Sequence, residues 1–319
     1  MRKNLISILS IISVLVLAVV LFAGYRIIGN NDPLSSRIRI ATGDEGGIYN
    51  AFGDALAKLL ENQMKIAVTV IPSGGSLDNI NMLRSGRADI AFVQSDIIKY
   101  AYDGTDIFSA EEPFKDFRAL AGLYPEVCQI VARSNIKGIT DLKGRRVSIG
   151  AEGSGTELNA LQILESYGMD YTDINVDHLG FNASVNAFKE GKIDAFFCTA
   201  GIPTPAISQL AASGEAILLN IGEAHARSIV SQYPYYFRQI ISKGIYPGFE
   251  EIETVAVKAV LVTSVKLKDQ TVSEMMSLIF DNADKISKEI QGINLNRKAA
   301  TGGLAIPLHR GAEEFYLGK

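Results

Sequence analysis

Hydrophobic and polar positions from residue 37 onward follow a regular order of strand, turn and helix. RIRIAT has the β-branched pattern of a strand, GDEGGIYN that of a turn, and AFGDALAKLLEN repeats apolar residues at helical spacing. A second strand, IAVTVIP, a second helix, SLDNINMLRSG, and a third strand, RADIAFVQSD, come next. Ser76 is predicted to be the N-cap of the second helix, because its hydroxyl can accept from free backbone N–H groups. This order predicts a parallel sheet with helices on its faces.

The second half of the chain repeats this order. RRVSIG predicts a strand, GAEGSGTE a turn, and LNALQILESYG a helix that ends at Gly168. INVDHLG, SVNAFKEG and KIDAFFCTAG continue as strand, helix and strand. When RSGRADIAFVQSD is set against KEGKIDAFFCTAG, identical residues coincide at Gly86 and Gly191, Asp89 and Asp194, and Phe92 and Phe197. We therefore expect two α/β lobes of like topology.

Two further segments suit crossings between these lobes. LAGLYPEVCQIVAR, between the repeats, is a long extended run that suits a crossing strand or hinge, and AVKAVLVTS predicts the return crossing. KDQTVSEMMSLIFDNADKISKEIQG then predicts one long amphipathic helix. We predict lobe 1 over residues 37–124 and about 260–319, and lobe 2 over residues 125–259.

The N-terminal segment is strongly apolar. Arg2 and Lys3 precede an uncharged run from Leu5 to Ala23, which as a helix would reach roughly 28 Å, close to the hydrocarbon thickness of a bilayer. We predict that residues 1–30 are a signal peptide or an N-terminal membrane anchor and that residues 31–36 are a linker. Either alternative places the rest of the chain outside the cytoplasm, in the periplasm or at the outer face of the membrane. A buried core helix is the third alternative.

Composition limits the classes of function. The chain has 319 residues and a formal net charge of -4, so it lacks the basic excess of a nucleic-acid-binding surface. Its three histidines are scattered, and we predict neither a metal site nor a cofactor. Ser154 and Thr156 have no histidine or lysine nearby in the sequence to activate them, so no catalytic residue is predicted. Cys128 and Cys198 are expected to be free buried thiols, although a disulfide stays open because it depends on strand register.

The candidate chemistry lies in four turns, at residues 43–49, 72–76, 150–156 and 180–184. Each turn follows a strand and opens a helix, where free backbone N–H groups and the helix dipole favour an anion. These turns contain no lysine or arginine; they hold Asp44, Glu45 and Glu152, which are either solvated rim charges or partners for an ammonium group or a cation. Tyr49 and Gln94 could add directed hydrogen bonds. Two lobes facing each other would place such donors on both walls of a cleft.

These segments carry a family resemblance. ATGDEGGIYNAFGDALAKLL, VTVIPSGGSLDNINMLRSGRADIAFVQSD, DLKGRRVSIGAEGSGTELNA and TAGIPTPAI resemble the TAXI family, the extracytoplasmic solute-binding proteins of tripartite ATP-independent periplasmic (TRAP) transporters. The resemblance implies a type II periplasmic-binding-protein fold, with two α/β lobes around a ligand cleft and a hinge. Asp44 and Glu45 replace small residues of the family's first turn, and Asn50 stands where a second tyrosine is often found.

The resemblance also implies a function. The protein would capture a small organic acid (glutamate-like, a 2-oxoacid or a dicarboxylate), so its ligand would be a small organic anion or an amino acid, and would deliver it to TRAP-type permease subunits. We expect a monomer. A membrane-anchored ligand-sensing module, or an enzyme on the same fold, stays an alternative. The ligand-lining positions implied by the family's segments are Gly47, Tyr49, Ser73, Gly74, Gly75, Ser76, Gln94, Ser154, Gly155, Thr156, Gly201, Ile202 and Pro203.

Overall fold

The computed structural model describes residues 37–211 and 214–318. The predicted signal peptide or anchor at residues 1–30 and the linker at residues 31–36 lie outside the described residues. Within the described part of the chain, no helix has both the length and the apolar character that a membrane span requires.

The described strands form one mixed sheet. Its strands are β1 Arg37–Ala41, β2 Ala67–Ile71, β3 Ile90–Gln94, β4 Phe117–Arg133, β5 Arg146–Ser148, β6 Asn175–Asp177, β7 Ala195–Ala200, β8 Ala216–Leu218, β9 Phe237–Ile241 and β10 Ile252–Ser264. Their order is β2-β1-β3-β10-β4-β7-β5-β6, with β8 paired to β4 and β9 paired to β10. The pairs β1–β3, β5–β7 and β5–β6 are parallel, as the repeated β-α-β order predicts.

Helices connect these strands. They are α1 Ile48–Leu59, α2 Ser76–Arg84, α3 Ser95–Asp103, α4 Gly155–Ser166, α5 Phe181–Lys189, α6 Pro205–Ala211, α7 Glu223–Gln232, α8 Asp269–Asp281, α9 Ala283–Glu289 and α10 Arg310–Leu317. A π-helical turn, Leu60–Met64, extends α1, and 3₁₀ turns lie at Asp106–Phe108, Ile139–Leu142 and Tyr171–Asp173. The helix boundaries agree with the predicted stop at Gly168, which follows α4 with a φ of 67°.

Two long antiparallel strands hold the sheet together. β4 has 17 residues and β10 has 13, and they pair along most of their length. β10 also pairs with β3, whereas β4 pairs with β7, so the two halves of the sheet meet at this central pair. The two extended segments that suited crossings, LAGLYPEVCQIVAR and AVKAVLVTS, therefore lie in β4 and β10, the strands that join the two repeats.

The internal repeat is confirmed by side-chain contacts. The Asp89 carboxylate accepts from the backbone N–H and the guanidinium of Arg39, at 2.7–2.9 Å. Asp194 accepts from the same three groups of Arg146, at 3.0–3.3 Å. In both halves the arginine lies on the first strand of the repeat and the aspartate just before the last, so the two sequence repeats have the same local structure.

The buried apolar residues divide in the same way. Two core clusters draw on residues 38–124 and 259–315, with Leu158 as the buried exception, and two draw on residues 127–257. Each half thus buries an apolar core on both faces of its part of the sheet, as parallel sheets require. The exact lobe boundaries stay a prediction.

Register explains the state of the two cysteines. Cys128 on β4 lies opposite Thr199, whereas Cys198 on β7 lies opposite Gln129. Successive side chains of a strand point to opposite faces, and the two thiols accordingly enter different core clusters. Both are buried and free, as expected.

Two local predictions were wrong. The single long helix predicted near the C-terminus is two helices, α8 and α9, because the backbone of Asn282 leaves helical geometry (φ -105°, ψ 12°) and its side-chain amide donates to the Leu278 carbonyl at 2.8 Å. Ser76 is the first residue of α2 rather than its N-cap, which is Gly75. The Ser76 hydroxyl accepts instead from the backbone N–H of Gln94, at 3.1 Å, and so joins α2 to the end of β3.

Candidate functional site

A cavity of about 50 Å³ lies where the four predicted turns meet. An enclosed water occupies roughly 10–15 Å³ on this measure, so the cavity accommodates a ligand of only a few non-hydrogen atoms. Its lining residues are Gly43, Asp44, Gly47, Ile48, Tyr49, Gly74, Gly75, Ser76, Gln94, Glu126, Ala151, Ser154, Gly155, Thr156, Gly180, Phe181, Thr199 and Ala200.

Four helices begin at this cavity. α1 begins after Gly47, α2 after Gly75, α4 after Ser154 and α5 after Gly180, and each of these residues lines the cavity. The first N–H groups of a helix have no partner within it, and the helix dipole adds partial positive charge there. The cavity is therefore suited to an anionic group although no lysine, arginine or histidine among the described residues lines it.

The turns at residues 72–76 and 150–156 approach so closely that glycine is required. A β-carbon on Gly74 would lie 2.4 Å from the carbonyl oxygen of Glu152. Gly75 has a φ of 130°, which side-chain-bearing residues rarely adopt. The two glycines allow the backbones of the two halves to touch.

Hydrogen bonds hold these walls together. The backbone N–H groups of Leu77 and Asp78 donate to the carbonyl of Gly153, at 3.2 and 3.3 Å. On the other side of the cavity, the backbone N–H of Phe181 donates to the Asp44 carboxylate at 2.8 Å. The Asp44 carboxylate therefore has a partner within the protein, and it joins the start of α5 to the turn at residues 43–49.

A buried carboxyl group lies at the cavity. Glu126, on β4, is 4% exposed, and the hydroxyl of Tyr49 donates to its Oε2 atom at 2.5 Å. Burial raises the pKa of Glu126 to about 8, although the Tyr49 hydrogen bond acts in the opposite direction. Tyr49 is itself buried and stacks on Phe92 with ring centroids 5.3 Å apart.

Gln94 brings an unsatisfied acceptor to the same cavity. The residue is 3% exposed, and its Oε1 atom has no hydrogen-bond partner among the described residues. Its amide lies against Gly155, where a β-carbon would fall 1.9 Å from Oε1. A buried acceptor without a partner costs roughly 1–3 kcal/mol, so this atom is suited to a donor on a bound molecule.

A second polar cluster lies outside the cavity lining. Asn159 donates its side-chain amide to Asp96 at 3.1 Å and to the hydroxyl of Tyr236 at 2.5 Å, and that hydroxyl donates to Gln162 at 2.6 Å. Burial raises the pKa of Asp96 to about 6. This cluster joins α3 to α4 and stabilises the contact between the two halves.

The structure brings most of the predicted site residues together. Gly47, Tyr49, Gly74, Gly75, Ser76, Gln94, Ser154, Gly155 and Thr156 line the cavity. Ser73 does not: its hydroxyl donates to the Thr42 carbonyl at 3.1 Å and to Asn79 at 2.7 Å.

The structure does not bring Gly201, Ile202 or Pro203 to the cavity either. The chain turns away after Ala200, and Ile202 lines a separate cavity of about 230 Å³. A β-carbon on Gly201 would meet Ile48 at 2.5 Å and the Gly292 carbonyl at 2.7 Å, so this turn packs against the C-terminal segment.

Sequence analysis missed several lining residues. Glu126 is the most important, because it is the one buried carboxyl group in the lining. The signal was a single carboxylate within an apolar strand, which is rare unless the group has a partner or a function. Gly180 and Phe181 lie at a helix start that the pattern did identify, whereas Thr199 and Ala200 end β7.

No group of three or more metal-ligating side chains occurs in the part of the chain that the structure describes.

Comparison with solved structures identifies the class of fold. The chain is similar to a protein from Bordetella bronchiseptica RB50 (TM-score 0.55, 17% identity, 88% of this chain and 82% of that one). It is also similar to PhnD1 from Prochlorococcus marinus (MIT 9301) in complex with methylphosphonate (TM-score 0.52, 14% identity, 80% and 89%) and to a periplasmic transporter protein (TM-score 0.52, 13% identity, 88% and 94%). The architecture is that of a type II periplasmic binding protein, with two α/β lobes around a cleft, which confirms the predicted fold class.

The family follows from the sequence match. The model of the NMT1-like family matches residues 40–318, and the chain belongs to that family.

Proposed function

We propose that this protein is an extracytoplasmic solute-binding receptor, rather than an enzyme, that captures a small organic acid for a membrane transporter. The observation that carries the proposal is the convergence of four helix N-termini on one small cavity between the two halves of the chain. A ligand carboxylate would accept from N–H groups at these helix starts other than those of Leu77, Asp78 and Phe181, which donate to Gly153 and Asp44. The fold, which PhnD1 shares in its methylphosphonate complex, supports this proposal.

Ligand binding would stabilise the closed arrangement of the lobes. Both walls contribute helix starts, so an anion gains its full set of donors only when the walls meet. The contacts of Gly153 and Asp44 across the cavity would then define the shape that a permease recognises. A receptor of this kind needs differential affinity between open and closed states, which donors on opposite walls supply.

The transporter partner belongs to the same proposal. The resemblance to the TAXI family favours TRAP-type permease subunits, with a monomeric receptor held outside the cytoplasm by an anchor or released after signal cleavage. Reconstitution of the full chain with candidate permease subunits in vesicles tests this partner. Uptake that depends on the receptor and on a sodium gradient would support it, whereas uptake driven only by ATP hydrolysis would contradict it.

Ligand capture can be tested directly. The purified full chain, partly unfolded and refolded to remove bound molecules, is screened by thermal shift against small monocarboxylates, dicarboxylates, 2-oxoacids and amino acids. A ligand at 100 times its dissociation constant should stabilise the fold by about 2.7 kcal/mol. The shift should be lost in Gln94→Ala and kept in Gln232→Ala, a control whose glutamine is exposed on α7.

Two results would count against the proposal. The first is the absence of a concentration-dependent shift with every acid of the panel. The second is chemical conversion of the bound ligand, detected by mass spectrometry after incubation, because a receptor returns its ligand unchanged.

A further inference from the structure

The charge of the cavity is unusual for a site that holds an acid. Two carboxyl side chains, Asp44 and Glu126, line it, and no basic side chain among the described lining residues balances them. The Asp44 carboxylate accepts from the N–H of Phe181, whereas among the described residues the Glu126 side chain has only the Tyr49 hydroxyl as a hydrogen-bond partner. A ligand that brought only negative charge would meet the Asp44 carboxylate, and would meet a second negative charge wherever Glu126 is ionised.

Two buried polar groups of the lining point in the same direction. Gln94 Oε1 and the Glu126 carboxyl group are both more than nine-tenths buried, and both line the cavity. Gln94 Oε1 has no partner among the described residues. Helix N-termini supply donors for a carboxylate, whereas these two groups are suited to a ligand that itself donates several hydrogen bonds and carries positive charge.

We propose that the ligand is a small zwitterion, a neutral amino acid with one carboxylate and one ammonium group and no second acidic group. This inference rests on the proposed function and specifies the ligand of the same site. The carboxylate lies at the helix starts, and the ammonium group lies between Gln94 and Glu126. The volume of about 50 Å³ favours glycine, alanine or serine over longer amino acids.

Among the described residues, the surroundings of Glu126 contain no cation that could take the place of the ligand's ammonium group. The titratable groups that face it are acids: Tyr49, Asp96, Tyr124, Cys128 and Cys198, with Asp44 on the same cavity. Lys258, on the neighbouring strand β10, directs its ammonium group to the carbonyl of Gly302 instead. A positive group at Glu126 therefore has to come from outside the described protein.

A neutral Glu126 offers a competing role. Burial raises its pKa to about 8, so near pH 7 it holds a proton that it could donate to a ligand carboxylate. In that case the ligand needs no ammonium group. The two roles predict opposite responses to pH and to Glu126→Gln, because glutamine can donate a hydrogen bond but cannot become negative.

The first experiment compares ligands that differ in one group. Isothermal titration of the full chain with L-alanine, L-lactate, pyruvate, succinate and L-alanine methyl ester separates the contribution of each charge. We expect L-alanine to bind at least about 100-fold more tightly than L-lactate, which keeps the carboxylate but replaces the ammonium group with a hydroxyl. Succinate and the methyl ester should bind weakly.

The outcomes separate this inference from the proposed function. Binding of lactate, pyruvate or succinate as tightly as alanine would overturn the zwitterion and leave an acid receptor. If the ester bound as tightly as alanine, a free carboxylate would not be needed for binding. That result would overturn both the role of the helix starts and the proposed organic-acid receptor. Failure of every probe to bind would overturn both.

The second experiment examines Glu126. The affinity for L-alanine should rise up to about tenfold per pH unit between pH 6 and 7.5, because binding an ammonium group expels the Glu126 proton. Glu126→Gln should bind alanine at least about 30-fold more weakly and should lose this pH dependence. Circular dichroism and a thermal melt establish that the variant is folded. An affinity that falls with rising pH, or that survives in Glu126→Gln, would overturn the inference.

Discussion

A single methyl group on Gly74 tests whether the walls of the cavity must touch. In Gly74→Ala the new β-carbon would lie 2.4 Å from the carbonyl oxygen of Glu152, about 1 Å short of ordinary contact. Because that oxygen belongs to the backbone of the opposite turn, rotation of a side chain cannot relieve the clash. The turns at residues 72–76 and 150–156 would have to separate.

The cost of that separation can be worked from the hydrogen bonds between the two turns. Leu77 and Asp78 donate to the Gly153 carbonyl at 3.2 and 3.3 Å, already at the long end of the range, and a further ångström would break both bonds. Each contributes a net 0.5–1.5 kcal/mol, so the closed arrangement loses about 1–3 kcal/mol. If the closed arrangement binds the ligand, the dissociation constant rises roughly 5- to 150-fold.

Isothermal titration with the best carboxylate ligand measures this change, and small-angle scattering of the liganded protein measures the separation of the lobes. Gly138→Ala is the matched control, since its β-carbon would meet nothing within 4 Å and its backbone is extended (φ -159°). Denaturant unfolding checks that both variants are folded. A dissociation constant for Gly74→Ala within twofold of the wild-type value would show that ligand binding does not need this contact.

Three further predictions concern the protein without added ligand. Burial raises the pKa of Glu126 from 4.5 to about 8, so the stability due to its bound proton is complete below pH 4.5 and is lost as pH rises through 8. Between pH 5 and pH 8.5, the free energy of unfolding in urea should therefore fall by roughly 3–5 kcal/mol less in Glu126→Gln than in the wild-type protein. Equal decreases would contradict the raised pKa. A thiol reagent should modify neither Cys128, whose pKa burial raises to about 12, nor Cys198 until the protein is denatured; rapid labelling of the native protein would contradict their burial. Asp89→Asn should destabilise by about 1.5–3 kcal/mol and Asp194→Asn by less than about 1 kcal/mol, because the arginine partner of Asp194 is 48% exposed. Urea unfolding that gave the reverse order would contradict this comparison.

The repeated architecture could be predicted from the sequence because its signals are local. Alternation of β-branched runs, glycine turns and apolar helical spacing specified the strands and helices of both halves. The paired motif at Asp89 and Asp194 predicted like topology, which the equivalent arginine contacts confirm. Four helix starts could be placed at one edge because the carboxyl ends of parallel strands lie together.

What could not be predicted depends on contacts between distant residues. Glu126 lies at the cavity because β4 pairs with β7 on one side and β10 on the other, and no local pattern encodes that register. The same holds for Gly201 and Pro203, whose turn packs against the C-terminal segment near Gly292. The break at Asn282 is invisible to hydrophobic periodicity because α8 and α9 both keep apolar residues on the buried side.

The origin of the lining residues separates two kinds of recognition. The helix starts come from the repeat, and they offer backbone donors that any carboxylate could use whatever else the ligand carries. Two other lining side chains differ from the helix starts. Gln94 ends β3 and stands where the second repeat has Thr199, which also lines the cavity, whereas Glu126 lies within β4, which joins the two repeats. If the protein is the proposed receptor, the helix starts of the repeat bind the acid group of the ligand, and Gln94 and Glu126 determine which acid is bound. A change of ligand preference should then come from substitutions at Gln94 and Glu126, whereas substitutions in the glycine turns should weaken all ligands together. Measuring the alanine-to-lactate preference in Gly74→Ala and in Glu126→Gln distinguishes these effects, because only the second variant should change the ratio.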